Sequence, residues 1–327
     1  MNGTTDYPPE IQYIVDHYAQ TIGSWFVGGV GDFVLQGAIV VMTAEYWARF
    51  KRDSRFLRAG VIVISIANVL KSIETAAILW HKLVEDFGDY DAAAGSTWYS
   101  IIEVLTAQII SASVQVFFSS RIWRLSIGFR IVLLPLALTI LTALGGAVAL
   151  TVSVYHAPRV NAQAAFQTMT VVQLSGNLAS DAIITGLTSF YLFQSKTGVR
   201  RTDGLIYKLL RLTWLAALPP TICAILTLVA YLTLAPEGNS LFITFTFLAP
   251  KLYTISMLYT LNSRGTRLMN DTYVMSTHVV TGVDVSGEVY FTDRRGAHPM
   301  KTASGAVADA DVLSGRMTAT STHDDEA

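Results

Sequence analysis

Residues 212–251 read LTWLAALPPTICAILTLVAYLTLAPEGNSLFITFTFLAPK, and this stretch decides the fold class. Before the terminal Lys251, its only charged residue is Glu237. A membrane-spanning helix needs about 20 mostly apolar residues. The turn-forming residues 236–240, PEGNS, divide the stretch into two apolar runs of roughly that length. The stretch therefore predicts two helices that cross a membrane in opposite directions.

The whole chain follows the same pattern. Of its 327 residues, 52% are hydrophobic and only 14% are charged, against about 25% charged in an ordinary soluble domain. Seven segments are long and apolar enough to span a bilayer: approximately 25–47, 58–80, 99–120, 131–155, 169–193, 212–235 and 241–262. The prediction is an all-α, polytopic membrane protein with seven transmembrane helices. Cys223 has no second cysteine to pair with, which excludes a disulfide framework.

Lysine and arginine are divided unevenly between the two sets of loops that flank these segments. One set carries fifteen of them, and the opposite set carries two, Lys82 and Arg159. Because basic residues are retained on the cytoplasmic side, the N-terminus is predicted outside and the C-terminus in the cytoplasm. The plasma membrane is the expected location, with an endomembrane as the alternative. No nucleic-acid partner is expected, because the basic loops lie beside bilayer-length apolar runs.

Three regions follow one another along the chain. Residues 1–24 form an outer segment, in which apolar residues at helical spacing between Glu10 and Gln20 predict a short interfacial helix. Residues 25–262 form the seven-helix transmembrane domain. Residues 263–327 are rich in Gly, Ser, Thr, Ala and Asp, which predicts a cytoplasmic, mostly disordered tail.

Six ionisable residues lie inside the predicted spans: Asp32, Lys71, Glu74, Glu103, Asp181 and Lys251. Each costs about 2.5 to 3.5 kcal/mol at the centre of a membrane helix, so they are expected to face one another, water or a ligand. The helical rise places all six in the outer half of the membrane or near its midplane. Asn177, four residues before Asp181, adds a hydrogen-bonding group on the same helix face. These seven residues predict an intramembrane polar layer.

The pairing of these charges leaves two interpretations open. Lys71 and Glu74 are three residues apart on one helix and are predicted to pair directly. Lys251 is then left to pair with one of the remaining acids, Asp32, Glu103 or Asp181. The polar layer is either a structural network that fixes helix packing or an outward-facing pocket for a small ligand, an ion or a proton.

Proline and glycine mark further features of the spans. Pro219 and Pro220 remove backbone donors inside the sixth span and predict a kink there. Glycines that permit close helix contacts occur in the first and fourth spans: Gly28, Gly29, Gly31, Gly37, Gly145 and Gly146.

A lysine inside the last span raises the hypothesis of a retinal Schiff base. Phe247 stands four residues before Lys251, where microbial rhodopsins carry an acidic residue, so no retinal is expected. The histidines His17, His81 and His156 lack the short spacing of a metal site. No nucleophile elbow, phosphate loop or dinucleotide fingerprint stands in a suitable context. Neither an enzymatic activity nor a metal or cofactor is predicted.

Three motifs carry a resemblance to a known family. Residues 114–126 (VQVFFSSRIWRLS) end the third span, residues 197–206 (TGVRRTDGLI) fill the third cytoplasmic loop, and residues 251–264 (KLYTISMLYTLNSR) lead from the seventh span into the tail. In this order they resemble the large fungal, chiefly mushroom-type family of seven-helix membrane proteins known only as a domain of unknown function. The resemblance covers roughly residues 21–275. It implies an integral membrane protein of unassigned role and supplies no catalytic residue, substrate or cofactor.

These motifs also place six polar residues at the predicted cytoplasmic face: Arg121, Arg124, Arg201, Asp203, Asn262 and Arg264. Arginine at a helix end can extend to lipid headgroups, so one interpretation is anchoring of the helix ends. The alternative is a docking surface for a cytoplasmic protein partner. Asp203 is expected to pair with a neighbouring arginine.

The leading functional hypothesis is a receptor- or sensor-like membrane protein whose polar layer binds a small-molecule ligand. One alternative is a transporter or channel for a small solute or a proton, which is less favoured because no span repeats the polar pattern of another. Another alternative is a membrane scaffold that recruits partners through its cytoplasmic tail. The lipid bilayer is the partner that the composition itself implies.

Overall fold

The computed structural model describes residues 18–87, 98–125, 131, 133–156, 163–196, 200–235 and 239–280. Seven long α-helices contain most of them: α1 (Tyr18–Arg49), α2 (Arg55–Trp80), α3 (Trp98–Leu125), α4 (Leu133–His156), α5 (Gln163–Gln194), α6 (Arg200–Leu234) and α7 (Leu241–Val280). A π-helical segment, His81–Glu85, continues α2. No strand occurs within these described ranges. Each predicted span corresponds to one helix, which confirms the all-α class.

Polar side chains mark two of the helix starts. Ser54 precedes α2, and its hydroxyl accepts a hydrogen bond from the backbone N–H of Leu57 at 3.4 Å. Asn239 precedes α7, and its Oδ1 accepts one from the N–H of Leu241 at 2.9 Å. Because the first backbone N–H groups of a helix have no partner within the helix, such side chains fix where each helix begins.

Six helical stretches in the described part of the chain are long and apolar enough to cross a membrane. Their bounds are Thr21–Arg49, Arg55–Glu85, Ile102–Arg124, Leu133–Ser153, Ile206–Leu234 and Leu241–Arg264. Helix α5 is also long, with 32 residues, but it is not among the six. Six such stretches in one chain indicate a multi-pass membrane protein.

The chain divides into two units, Met1–Gly265 and Thr266–Ala327. The first unit contains α1 to α6 and α7 as far as Gly265. In the second unit the helix continues to Val280, so the first part of the predicted tail is helical. The interfacial helix predicted before α1 and the rest of the tail, residues 281–327, lie outside the described residues.

Helix α7 contacts helices from both halves of the chain. Thr244 on α7 donates a hydrogen bond to the backbone oxygen of Ser24 on α1, at 2.8 Å. The thiol of Cys223 on α6 donates to the backbone oxygen of Phe245 on α7, at 3.2 Å. A buried apolar cluster joins α7 to α1, α2 and α3: Ile39, Tyr46, Val61, Ile64, Val114, Tyr253, Met257, Leu258 and Leu261. The polar side chains of α7 are therefore held against several other helices at once.

Apolar side chains also cover the outside of the helices. Val34 on α1 is 68% exposed, and Leu138 on α4 is 66% exposed. A soluble protein rarely exposes large contiguous apolar surfaces. These faces are suited to contact with lipid chains.

Helix α1 approaches α7 closely at Gly28. A Cβ atom added to Gly28 would lie 2.9 Å from the Cα of Thr244. The predicted close contact is therefore confirmed at Gly28. It is also confirmed at Gly29, Gly31 and Gly146, where an added Cβ would meet Leu79, Leu248 and Gln173 respectively. At Gly37 and Gly145 the prediction is wrong, because an added Cβ would meet nothing within 4 Å.

Candidate functional site

Lys251 is completely buried and lies in a polar cluster between α1, α2 and α7, which we call the Lys251 cluster. Its Nζ donates hydrogen bonds to Gln36 Oε1 (2.8 Å), to the backbone oxygen of Asn68 (2.7 Å) and to Ser72 Oγ (2.8 Å). Asp32 Oδ2 lies 3.5 Å from Nζ and accepts a hydrogen bond from Ser72 Oγ at 2.7 Å. Among the three acids predicted as partners of Lys251, the structure selects Asp32. Since an ammonium group has three hydrogens, all of its donors are used.

Lys71 belongs to a second cluster, between α2, α3 and α7. Its ammonium pairs with the buried Glu103, contacts Thr75 Oγ1 at 3.4 Å and lies 4.7 Å from the ring centroid of Phe247. A cation over an aromatic face is stabilised by the ring quadrupole. This second lysine is therefore neutralised by a carboxylate on a neighbouring helix.

The predicted pairing of Lys71 with Glu74 is wrong. Glu74 instead accepts a hydrogen bond from Thr106 on α3, at 3.0 Å. Lys71 is completely buried whereas Glu74 is partly exposed, so the two side chains occupy different environments on α2. The spacing along α2 allows Lys71 and Glu74 to pair, but the carboxylate of Glu103 on α3 pairs with Lys71 instead.

Asn177 on α5, like Asp181, contacts α3, but through a different side chain. It forms a reciprocal amide pair with Gln108 on α3: Gln108 Nε2 donates to Asn177 Oδ1 (3.0 Å), and Asn177 Nδ2 donates to Gln108 Oε1 (2.9 Å). Gln173 Nε2 also donates to Gln108 Oε1, at 3.1 Å. This uncharged network joins α3 to α5.

Asp181 on α5 is the buried carboxylate that differs from the others. It accepts hydrogen bonds from the hydroxyl of Tyr253 on α7 and from Gln115 Nε2 on α3, the latter at 3.1 Å. Within the described part of the chain, no lysine, arginine or histidine forms an ion pair with it. Asp181 is nevertheless only 7% exposed. Its partners are thus neutral hydrogen-bond donors.

A small cavity, the Asp181 cavity, lies beside this carboxylate and has a volume of about 30 Å³. Its walls are Gln115, Phe118 and Arg121 from α3, Asp181, Ile184, Thr185 and Thr188 from α5, Thr213, Ala216, Ala217, Pro220 and Thr221 from α6, and Tyr253 from α7. The Oε1 atom of Gln115 is buried and has no hydrogen-bond partner among the described residues. A space of this size holds one or two water molecules. It can take a water or a small ion, but no larger organic ligand.

The diproline of α6 lies at the same cavity. Pro220 has no N–H, so the backbone oxygen of Ala216, four residues earlier, has no partner within the helix. Ser256 on α7 donates its hydroxyl hydrogen to that oxygen, at 2.5 Å. Helix α6 continues through both prolines. The missing helical hydrogen bond is thus replaced by one between α6 and α7.

A further polar group joins the end of α7 to the segment between α1 and α2. Arg264 Nη2 donates to Asp53 Oδ2 at 2.9 Å, and Asp53 Oδ2 also accepts from the hydroxyl of Tyr46 at 3.0 Å. Asn262 Nδ2 donates to the backbone oxygen of Met42 at 2.9 Å. Two of the six residues predicted for the cytoplasmic face therefore tie α7 to α1 and to the segment that follows it.

The other four residues predicted for that face lie on α3 and α6. Arg121 lines the Asp181 cavity, and Arg124 is exposed. Asp203 is partly buried and makes an interaction of its own. The side chain of Arg201 lies outside the described residues.

Reasoning from charge alone missed several polar residues of these clusters. Gln36, Asn68, Gln108 and Gln173 are uncharged amides within apolar helices, and a search that included amides would have found them. Gln115, Tyr253 and Ser256 lie within the quoted motifs 114–126 and 251–264, but nothing in their spacing showed that they meet across α3, α6 and α7.

Comparison with known families finds one similarity. A family of unknown function, DUF6534, matches residues 177–266. The matched region contains the second half of α5, all of α6 and the part of α7 that carries Lys251, Tyr253 and Ser256. No curated protein and no solved structure matches the chain. The similarity thus agrees with the sequence expectation of a domain of unknown function, and the fungal origin and seven-helix family stay predictions.

Proposed function

We propose that this chain is a seven-span membrane sensor with its N-terminus outside and its C-terminus in the cytoplasm. Helix α5 is proposed as the seventh span because its polar side chains are used inside the helix bundle. Asn177 bonds to α3, Ser180 Oγ lies 2.9 Å from Thr139 Oγ1 on α4, and Asp181 bonds to α3 and α7. Polar residues that face neighbouring helices lower the hydropathy of a span without exposing it to lipid.

The proposed orientation rests on the loop charges. Fifteen lysines and arginines flank one side of the seven helices, and two flank the other. Cysteines introduced at Lys51 and at Asn239 would test it, because a membrane-impermeant maleimide applied to intact cells should label only the second position. The single native cysteine, Cys223, is buried and gives a low background.

The observation that carries the sensor proposal is the hydrogen bond between Ser256 and the backbone oxygen of Ala216. At Pro220 the α6 helix lacks its own hydrogen bond, so its position there depends on a contact with α7. The Asp181 cavity, which Ala216 and Pro220 line, leaves unfilled space next to this part of α6. We infer that α6 has two arrangements, with this bond made or broken, and that a stimulus acts by shifting their populations.

The two lysine clusters are less suited to receive a ligand. Lys251 already uses three hydrogen bonds, and Lys71 is paired with Glu103 and packed on Phe247. A ligand that entered either cluster would have to displace buried charge pairs, which is costly. We therefore place the responsive site at the Asp181 cavity and assign the lysine clusters to helix packing.

Spin labels can test whether α6 moves. In a Cys223→Ser background, cysteines at Lys208 on α6 and at Arg52 would carry the labels, since both side chains are exposed. Pulsed distance measurements in lipid nanodiscs should show a second distance, or a larger population of it, in Ser256→Ala. The matched control is Ser263→Ala, because the Ser263 hydroxyl bonds only within its own helix, to Thr260. Identical distance distributions in all three proteins would contradict the proposal.

A transporter of protons or small cations is the second candidate function. It is favoured by one observation, a buried Asp181 whose partners are neutral donors. Purified protein in liposomes with an entrapped pH or Na⁺ indicator separates the two candidates. Flux that disappears in Asp181→Asn would establish transport, whereas absence of flux together with α6 movement would support the sensor.

A further inference from the structure

We propose that the Asp181 cavity binds one monovalent cation of about the size of Na⁺. This inference deepens the proposed function by naming a ligand for the same cavity, and it rests on that proposal only for the cavity's role. The binding itself does not require α6 to move, so the two ideas can fail separately.

Three buried carboxylates differ in their partners. Asp32 lies 3.5 Å from Lys251 Nζ, and Glu103 pairs with Lys71. Asp181 is buried to a similar degree, yet in the described residues no basic side chain pairs with it. An ionised carboxylate in a low-dielectric interior requires a compensating charge. A bound cation would give Asp181 the compensating positive charge that Lys251 gives Asp32 and Lys71 gives Glu103.

Oxygen atoms of Gln115 and Tyr253 lie close to the Asp181 carboxylate. Gln115 donates through Nε2 to Asp181 Oδ1 at 3.1 Å, so its own Oε1 is not used in that bond. This Oε1 is buried and has no hydrogen-bond partner in the described part of the chain, although Gln115 is only 1% exposed. The Tyr253 hydroxyl oxygen stands beside the same carboxylate. Hard cations prefer such oxygen ligands, and one carboxylate with neutral oxygens suits a single positive charge better than Ca²⁺, which takes several carboxylates.

The size of the Asp181 cavity limits what it can bind. A volume of about 30 Å³ admits one or two water molecules, and therefore a small ion but not choline or another organic cation. Arg121 also lines the cavity, but six residues of helix, about 9 Å of rise, separate it from Gln115. Arg121 has an interaction of its own. Among the described residues, Arg121 forms no ion pair with Asp181.

The experiment measures thermal unfolding of the full-length protein in detergent, in NaCl, KCl or choline chloride at equal ionic strength. A ligand that binds only the folded state raises the midpoint temperature, by about 3 to 6 °C at ten times its Kd. We expect this rise in NaCl relative to choline chloride, and its loss in Asp181→Asn. Asp32→Asn is the matched control: it removes a buried carboxylate that already has a lysine, and should keep the Na⁺ response.

If Asp181→Asn does not fold, Gln115→Leu provides the second test, because it removes the unused oxygen and leaves all charges in place. It should increase the Na⁺ concentration needed for half of the effect at least several-fold. Equal midpoints for wild-type protein in all three salts would overturn the proposal. So would stabilisation by low pH that requires Asp181 but is independent of Na⁺, since a proton would then occupy the site. Na⁺ binding without any α6 movement would leave this inference standing and refute the sensor.

Discussion

Replacing Lys251 with methionine should strongly destabilise the protein. Methionine keeps much of the length and volume of lysine but removes the ammonium group. The three acceptors Gln36 Oε1, Asn68 O and Ser72 Oγ lose their donor. Asp32, which is 0% exposed, keeps only the hydrogen bond from Ser72, because its Oδ1 has no partner.

The expected magnitude follows from that uncompensated charge. Removing one member of a buried ion pair costs about 3 to 5 kcal/mol. The Nζ to Oδ2 distance of 3.5 Å is longer than a direct charged hydrogen bond, which favours the lower end of that range. At about 3 kcal/mol, and with about 2 to 4 °C per kcal/mol for a large domain, the midpoint should fall by about 6 to 12 °C.

Asp32→Asn should cost less than Lys251→Met, because the ammonium would retain its three hydrogen bonds. The double variant should be more stable than the sum of the two single effects predicts, with a coupling energy of about 0.5 to 3 kcal/mol. This asymmetry distinguishes an ion pair from independent packing contributions.

The assay can use the protein's own cysteine. Cys223 is 4% exposed and is the single cysteine of the chain, so a thiol-reactive fluorophore reports unfolding as the residue becomes accessible. Lys208→Met is the control, because this lysine is exposed and its loss should leave the midpoint nearly unchanged. A Lys251→Met midpoint within the error of that control, together with additive effects of the two variants, would refute the reasoning.

Two further predictions concern helix contacts. Gly28→Ala should destabilise the protein by about 1 to 3 kcal/mol, as overpacking does, because the new methyl group would meet the Thr244 backbone at 2.9 Å. Gly37→Ala is the control in the same thiol assay. It should be neutral or stabilising, because nothing lies within 4 Å of the new methyl group. Arg264→Gln should cost no more than about 1 kcal/mol in thermal unfolding, because its pair with Asp53 is 41% and 21% exposed; a loss above about 3 kcal/mol would show that this contact is effectively buried.

The helices could be predicted from sequence because their signal is local. Apolar runs of bilayer length, such as 212–235 and 241–262, each gave one helix of the structure. Helix α5 shows the limit of hydropathy, since the side chains of Gln173, Asn177 and Asp181 lower its apolar character while they bond to other helices. Spacing alone could not tell that these side chains bond to other helices.

The pairings could not be predicted, because they depend on how the helices rotate and pack. Lys71 and Glu74 are neighbours on α2, yet Lys71 pairs with Glu103 from α3. Asn177 and Asp181 both contact α3, but nothing in the sequence showed that their partners there would be Gln108 and Gln115. Spacing along one helix permits a contact between two of its side chains, but the packing of a neighbouring helix decides whether that contact forms.

Two buried carboxylates, Asp32 and Glu103, are neutralised by lysines, whereas no basic side chain in the described part of the chain pairs with Asp181. An experimental density map of the protein in nanodiscs, recorded in NaCl and in choline chloride, tests this division most directly. We predict that Lys251 contacts Asp32 and Lys71 contacts Glu103 in both salts, and that density for an ion appears beside Asp181 only in NaCl. A lysine or arginine within 4 Å of Asp181, or identical density there in both salts, would contradict the account.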